Sequence, residues 1–443
     1  MSDLLPTTPY RGTRDFYPED MRFRREMFAR WRRVCEAYGY GEVDGPLLEP
    51  LATYAAKTSD EIVRTQLYHF TDRGGREMAI RPEFTPTMAR LAASKLQDLP
   101  LPVRWYAIPN VWRYENPQRG RLREHWQLNV DMFGVDGIGA EVEMLSLAQD
   151  LLKAFGAPSG SFELRVNSRR LTDHIFRKML GLTEEQCAGA AAAVDRRAKV
   201  EPEVFQKMLS EAGLSEEQQK ILQSIWSQAA HAAALPPLDA LKALESAVGQ
   251  GAAGIEDLRQ LAESLVALGS GDSLRLDLSV MRGFAYYTGT VFEIFDTHPE
   301  NNRSLFGGGR YDNLMGAFSK RSLSGFGFGM GDVTFENFLK VHGLLPKLQP
   351  AAQAAVLVMG DAPADRLRSQ KLASQLREGG ASVFVTLAGG KMGKQIQTAE
   401  KAGATRVVIF GPDEENRGVA AVKDLASGEQ KDVSLSTLAN ELA

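Results

Sequence analysis

Cysteine is almost absent: Cys35 and Cys187 are the only two in 443 residues. Two isolated thiols exclude a ligand-spaced zinc or iron–sulfur framework, and both are expected to be buried and reduced. The six histidines, at positions 69, 125, 174, 231, 298 and 342, form no close metal-binding group. No apolar run approaches the roughly 20 residues a helix needs to cross a bilayer. The opening MSDLLPTTPYRGTRDFYPED has no basic segment followed by a long apolar core, so neither a secretory signal nor a membrane anchor is expected, and a cytoplasmic location is. Charge of one sign is also lacking. With 52 Lys and Arg against 56 Asp and Glu, the net charge is −4, so a polyanion would have to be held by local arginine patches rather than a global field.

What is present reads as a folded globular protein. Hydrophobic residues make up 44% and charged residues 24%, which excludes a disordered or fibrous chain, and the length allows several cores. Residues 19–40 place Met21, Phe23, Met27, Phe28, Trp31 and Val34 at mostly helical spacing, with a break at Gly39. VRWYAIPNVWRYE reads as a strand entering a polar loop, HWQLNVDMFG as the return strand, EVEMLSLAQDLLKAFG as a helix and SFELRVNS as a further strand. From 171 to about 270, LTEEQ, LSEEQQ and LPPLDA punctuate alanine-rich amphipathic segments, the pattern of a small helical insertion. Strand-like runs resume with LRLDLSV and TGTVFEIFD. From 348 to 443, AVLVMG, SVFVTL and TRVVIFG alternate with helical segments, which predicts a separate α/β domain behind the body of the chain at 1–347.

Four constellations carry chemistry. In AIRPEFTPTMAR, Glu83 and Thr85 stand two positions apart with Arg81 before them, a spacing that on a strand points carboxylate and hydroxyl to one side, suited to an ammonium group. An ion pair and a helix-capping threonine are the plainer alternatives. In WRYENPQRGRLREHWQLNVD, Arg113 and Glu115 alternate on an apparent strand, and Arg119, Arg121 and Arg123 follow in a loop. Guanidinium groups hold phosphate oxygens in fork geometry, although a solvated basic turn has the same composition. Gln127 and Asp131 come next, four apart on the return strand, so both can face one pocket with Glu83. MRGFAYYTGTVFEIFD sets Arg282 beside Tyr286 and Tyr287, an anion contact with aromatic walls or, for at least one tyrosine, core packing. LFGGGRYDNL and LSGFGFGMGD satisfy neither the dinucleotide fingerprint nor the P-loop pattern. Their glycines would let backbone approach a nucleotide, with Arg310 as a further anion contact, or would serve tight strand connections.

The segments RGTRDFYP, RPEFTP, RYENPQRGRLREHWQ, RGFAYYTGTVFE and GGGRYDNL, in this order, resemble those of histidyl-tRNA synthetases, and KDLASGEQKDV with the preceding α/β pattern resembles that family's anticodon-binding domain. The resemblance implies a class II synthetase fold: an α+β catalytic domain with an antiparallel active-site sheet and a helical insertion contacting the acceptor arm, followed by an α/β anticodon-binding domain. It implies a homodimer that uses ATP to activate L-histidine as histidyl-adenylate and transfers it to tRNA(His), with Mg2+ screening the triphosphate.

By the same resemblance, Glu83, Thr85 and Gln127 grip the α-amino group, and Asp131 with Tyr286 and Tyr287 recognises the imidazole. Arg113 binds the α-phosphate, Glu115 the adenine side and Arg121 the outer phosphates, while Arg282 stabilises charge as the carboxylate attacks phosphorus. Two departures stand out. Asp131 occupies a position where the family commonly has Glu, and GFGMGDVT puts Val333 and Thr334 where its third motif ends in Glu-Arg. Arg310, or else Arg303 or Arg321, is then the expected source of the missing charge. A regulatory paralog from histidine biosynthesis, binding histidine without charging RNA, is the rival reading.

Overall fold

The computed structural model describes residues 5–55, 65–197, 200–281, 287–301, 303–388 and 390–442. The chain divides into two compact units, one ending at Pro346 and the other running from Lys347 together with the short segment Phe16–Phe23.

The first unit is built on a nine-stranded sheet. Its strands in chain order are β1 (Gly41–Glu42), β2 (Val103–Ala107), β3 (Asn110–Trp112), β4 (Glu124–Phe133), β5 (Phe162–Ser168), β6 (Leu274–Leu276), β7 (Thr290–Asp296), β8 (Ser304–Tyr311) and β9 (Gly325–Gly331). The spatial order is β1-β2-β4-β9-β8-β7-β5-β6, with β3 also paired to β4. Only the β1–β2 and β5–β6 pairs are parallel; the central strands are antiparallel.

The GFGFGMG run of β9 shows how sequence sets the two faces. Successive residues of a strand point to opposite sides, so Phe326, Phe328 and Met330 fall on one face and are buried there, against Phe292 and Phe306. Burying side chains of this size contributes roughly 2 kcal/mol each. Helices Gly139–Lys153 and Asp332–Val341 cover that side. The other face of β9 carries only glycines, at 325, 327, 329 and 331. Toward it lies helix Thr85–Ser94, whose Met88, Ala89 and Ala92 pack with Val103, Phe133, Val291 and Tyr311.

Helix Pro18–Ala37 follows the expected periodicity, burying Met27, Phe28, Trp31 and Cys35. A separate three-stranded sheet places Glu77–Ile80 between Leu48–Pro50 and His69–Thr71. Between β5 and β6 the described chain is helical, including Glu184–Arg196, Pro202–Glu211, Glu216–Ala232, Pro237–Val248 and Ile255–Ala267. Capping boxes at Thr183/Gln186 and Ser215/Gln218 start two of these helices, as the LTEEQ and LSEEQQ motifs suggest.

The second unit has a five-stranded sheet in the order Val383–Val385, Ala352–Val356, Ala404–Ile409, Val419–Asp424, Gln430–Ser434. The first three strands are parallel, with helices Pro363–Glu378 and Met392–Lys401 as crossovers, and the last two form an antiparallel hairpin around LASGE.

Candidate active site

The site begins as a row of polar side chains on β4. Gln127, Asn129 and Asp131 alternate onto one face and are all buried. The neighbouring strand pairs Gly331, Gly329 and Gly327 with them, in that order. A Cβ at Gly327 would collide with the Asp131 carboxylate, and one at Gly329 with the Gln127 amide. The glycines therefore leave a trough along the sheet into which the polar row leans. Gly327 and Gly329 stand inside β9, as do Gly307, Gly308 and Gly309 inside β8, so the alternative that these glycines serve tight strand connections does not describe them.

Hydrogen bonds fix the row. The Gln127 amide donates to Asn129 Oδ1 at 2.8 Å, and the Asn129 amide donates to Thr85 Oγ1 at 3.3 Å. Tyr311, on β8, donates its hydroxyl hydrogen to Asp131 Oδ1. Asp131 Oδ2 is buried with no hydrogen-bond partner among the described residues. Loss of water around this fully buried carboxylate pushes its pKa up to about 7; the Tyr311 and Thr85 hydroxyls oppose that rise and the Glu83 charge adds to it. Burial and the Asp131 charge together hold the Tyr311 phenol well above its ordinary range.

Glu83 and Thr85 do meet this row, but not from a strand. The strand ends at Ile80, and Thr85 is the first residue of helix Thr85–Ser94, with Pro86 fixing the helical backbone at its start. Glu83 lies buried in the connection. Arg81 serves as a brace for this segment, its Nε donating to the Asn110 carbonyl at 2.8 Å and its Nη1 to the Gly45 carbonyl at 2.8 Å.

The arginine-rich end lies beyond β3. That strand stops at Trp112, so Arg113 and Glu115 stand on an irregular stretch rather than alternating on a strand. The Arg113 backbone amide donates to the Arg123 carbonyl at 2.8 Å, and its Nε donates to the Pro82 carbonyl at 2.9 Å, next to Glu83. Glu115 is 3.8 Å from Arg121 and lies largely out of solvent, whereas the Arg121 side chain is 64% exposed. Gln118 and Arg121 exchange two backbone hydrogen bonds, at 3.0 and 2.9 Å, closing a tight turn with Gly120 at φ +80°. Arg123 is buried instead, over the rings of Tyr114 and Tyr10, and its Nε donates to the Glu115 carbonyl at 3.2 Å. Loss of water, together with the nearby positive charges of Arg113 and Arg14, pushes His125 down to about 3 and keeps this ring neutral.

Other expected residues fall elsewhere. Tyr287 is buried in the cluster of Phe84, Met88 and Val291. Arg282 and Tyr286 lie outside the described residues. Arg310, expected to face a nucleotide, is instead 4% exposed and engaged with Glu141 through two nitrogens, and it donates to the carbonyls of Val135 at 2.9 Å and Gly137 at 3.0 Å. With its donors turned to these internal acceptors, it fastens β8 to the start of helix Gly139–Lys153. The Arg321 backbone amide bonds the Ser319 hydroxyl at 3.2 Å in an exposed turn.

Sequence reasoning passed over two members of the site. Asn129 sits between Gln127 and Asp131 at the same two-residue period, a signal that was available. Tyr311 lies next to Arg310, and its role depends on β9: a Cβ at Gly325 would collide with its ring.

Residues 12–332 match the family described as Histidyl-tRNA synthetase, and residues 353–443 that described as Anticodon binding domain. The chain is 43% identical over 438 residues to a histidine–tRNA ligase of Leptospira biflexa, covering 98% of this chain and 96% of that protein. It is 37% identical over 426 residues to one from Opitutus terrae, covering 95% and 94%. The crystal structure of histidyl-tRNA synthetase from Nostoc sp. PCC 7120 superposes with a TM-score of 0.82 at 26% identity, over 99% of both chains. A Bacillus halodurans structure described as an ATP phosphoribosyltransferase regulatory subunit/histidyl-tRNA synthetase has a TM-score of 0.75 at 22% identity, over 92% of this chain and 99% of that one, a likeness of fold alone.

Proposed function

Because the chain belongs to the histidyl-tRNA synthetase family, we propose a division of labour among its site residues for the reaction of a histidine–tRNA ligase. The enzyme activates histidine with ATP and transfers it to tRNA(His). In the first step the histidine carboxylate attacks the α-phosphorus and pyrophosphate leaves; in the second, a ribose hydroxyl of the terminal adenosine attacks the carbonyl and AMP leaves.

The observation that carries the assignment is the buried Asp131 carboxylate, whose Oδ2 has no hydrogen-bond partner among the described residues, at the end of a glycine-floored trough. A carboxylate oxygen so placed is suited to accept the N–H of an imidazole. Tyr311 holds the other oxygen, and Gln127, Thr85 and Glu83 line the approach for the α-amino group. Tyr287 packs behind them and, with Tyr286, forms the aromatic side of the imidazole subsite. Arg113, pinned beside Glu83 through the Pro82 carbonyl, meets the α-phosphate. Arg121 takes the outer phosphates, Glu115 the adenine side, and Arg282 the carboxylate and α-phosphate as charge develops. Among the described residues no three His, Cys, Asp or Glu side chains converge as a metal shell. Mg2+ would screen the charge of the triphosphate.

We also assign 1–347 as the catalytic body, its 171–270 insertion as the acceptor-arm contact and 348–443 as the anticodon-binding domain, in a cytoplasmic homodimer. Among the described residues no helix is long and apolar enough to cross a membrane.

The test is histidine-dependent pyrophosphate exchange paired with charging of tRNA(His), in the wild type and in Arg282→Ala. The variant is expected to lose the burst of adenylate while still binding histidine; an unchanged burst removes Arg282 from the reaction. Histidine binding by the wild type without either activity would point to the regulatory paralog.

A further inference from the structure

Arg303 immediately precedes β8, at the end of the β7–β8 connection, where its carbonyl accepts from the Asp296 amide at 3.0 Å. Its exposed guanidinium crosses to the arginine-rich turn: Nη1 donates to the Arg119 carbonyl at 2.6 Å. At the next residue, Gly120, a Cβ would lie 2.7 Å from Arg303 Nη1 and 3.6 Å from Thr334 Cγ2. Arg303, Thr334 and the tip of the turn therefore share one spot. Thr334 is the position at which the resemblance leads one to expect arginine, and its hydroxyl is turned inward to the carbonyls of Leu305 at 2.9 Å and Gly331 at 3.1 Å.

The charge on Arg303 is otherwise uncommitted. Among the described residues no carboxylate pairs with it, in contrast to Arg310 on β8 and Arg14 and Arg104 elsewhere in this unit. One backbone carbonyl uses one of the five N–H groups of a guanidinium and cancels none of its charge. The turn it rests on places Arg121 one residue beyond Gly120, with that side chain mostly in solvent. One guanidinium without an acidic partner among the described residues, Arg303, and a mostly exposed one 3.8 Å from Glu115, Arg121, meet the same tight turn, an arrangement that a polyphosphate would stabilise.

We propose that Arg303 is an ATP-binding residue of this enzyme, meeting the outer phosphates beside Arg121 and supplying from the β7–β8 connection the charge that Thr334 does not carry. The inference rests on the assignment of Arg113 to the α-phosphate and Arg121 to the outer phosphates. It adds that the phosphate end is completed by a side chain from the β7–β8 connection.

The full-length enzyme is assayed by pyrophosphate exchange, and ATP and AMP are titrated separately, in the wild type, Arg303→Ala and Arg303→Gln. Gln keeps a donor for the Arg119 carbonyl and removes the charge. Both variants are expected to raise the KM for ATP about tenfold or more, with the KM for histidine unchanged and AMP binding within about twofold, since AMP lacks the outer phosphates. Adding Thr334→Arg to Arg303→Ala is expected to restore part of the ATP affinity. An unchanged KM for ATP, or an equal weakening of ATP and AMP as from a loop that has lost a brace, overturns the proposal. The assignment on which it rests fails separately, if Arg121→Ala leaves ATP binding intact.

Discussion

Tyr311 on β8 holds one oxygen of Asp131 on β4, across the glycine strand β9 that separates them. The bond passes over Gly327, whose missing side chain is the space the carboxylate occupies. Tyr311→Phe removes the donor and keeps the ring packed against Phe133. Asp131 then loses a hydrogen bond to its charged form, and its free rotation would misplace the acceptor proposed for imidazole. The KM for histidine is expected to rise at least about tenfold, with the KM for ATP unchanged. Equal changes in both would place Tyr311 in general packing instead.

Asp131 carries a conflict between stability and function. In the unfolded chain it loses its proton near pH 4, whereas in the folded protein burial delays the loss to about 7. Between those values the unfolded state releases the proton first, so stability falls as pH rises, and the cost is complete above about pH 7. Asp131→Asn removes the charge. It is expected to be more stable than the wild type at pH 8 by on the order of 2–4 kcal/mol, with the difference closing toward pH 4, while histidine activation is lost. Thermal melts across that range check the sign; a gap that widens toward acid would contradict it.

On the proposed role of Asp131 at the imidazole, the same proton should also govern substrate binding. As pH falls from 8 to 6, Asp131 in the empty enzyme becomes neutral and its acceptor weakens. The KM for histidine is expected to rise several-fold over this interval. In Asp131→Asn the profile should lose the transition near 7 and remain high throughout. A wild-type profile flat across 6–8 would show that Asp131 is ionised before histidine arrives.

Gly329→Ala probes the trough from the other strand. The new methyl would collide with the Gln127 amide, forcing it from its bond to Asn129. Overpacking of this kind typically costs about 1–3 kcal/mol. If Gln127 holds the α-amino group as proposed, the folded enzyme should show a raised KM for histidine, because the displaced amide no longer faces the trough. An unchanged KM would mean that Gln127 is not a substrate contact.

The residues that sequence placed correctly are those whose relation is local. Gln127 and Asp131 share a face because a strand alternates, and the same period gives Asn129, whose neutral amide carries no charge to single it out. The capping boxes at Thr183 and Ser215 are likewise readable over four residues. Errors arose where a partner is distant or a strand ends early. Thr85 reads as a strand residue until Pro86 is taken as the start of a helix. Tyr311 finds Asp131 only through the β8–β9–β4 order, which no local pattern encodes. Arg303 meets Gly120 through the same long-range pairing of segments.

Arg310 is the sharpest case, since its glycine-rich surroundings suggested phosphate while its partner Glu141 lies 169 positions upstream. Both side chains are almost fully buried, and the guanidinium also holds the carbonyls of Val135 and Gly137. Arg310→Ala would leave Glu141 charged and unpaired inside the protein, and removing one partner of such a pair costs about 3–5 kcal/mol. Arg310→Met combined with Glu141→Leu removes both charges at similar volume and should recover much of that stability. The fraction of Arg310→Ala that remains folded should bind ATP with an unchanged KM, because the guanidinium faces helix Gly139–Lys153 and not the arginine-rich turn. A melting temperature close to wild type together with a tenfold rise in the KM for ATP would reverse the assignment and return Arg310 to the nucleotide.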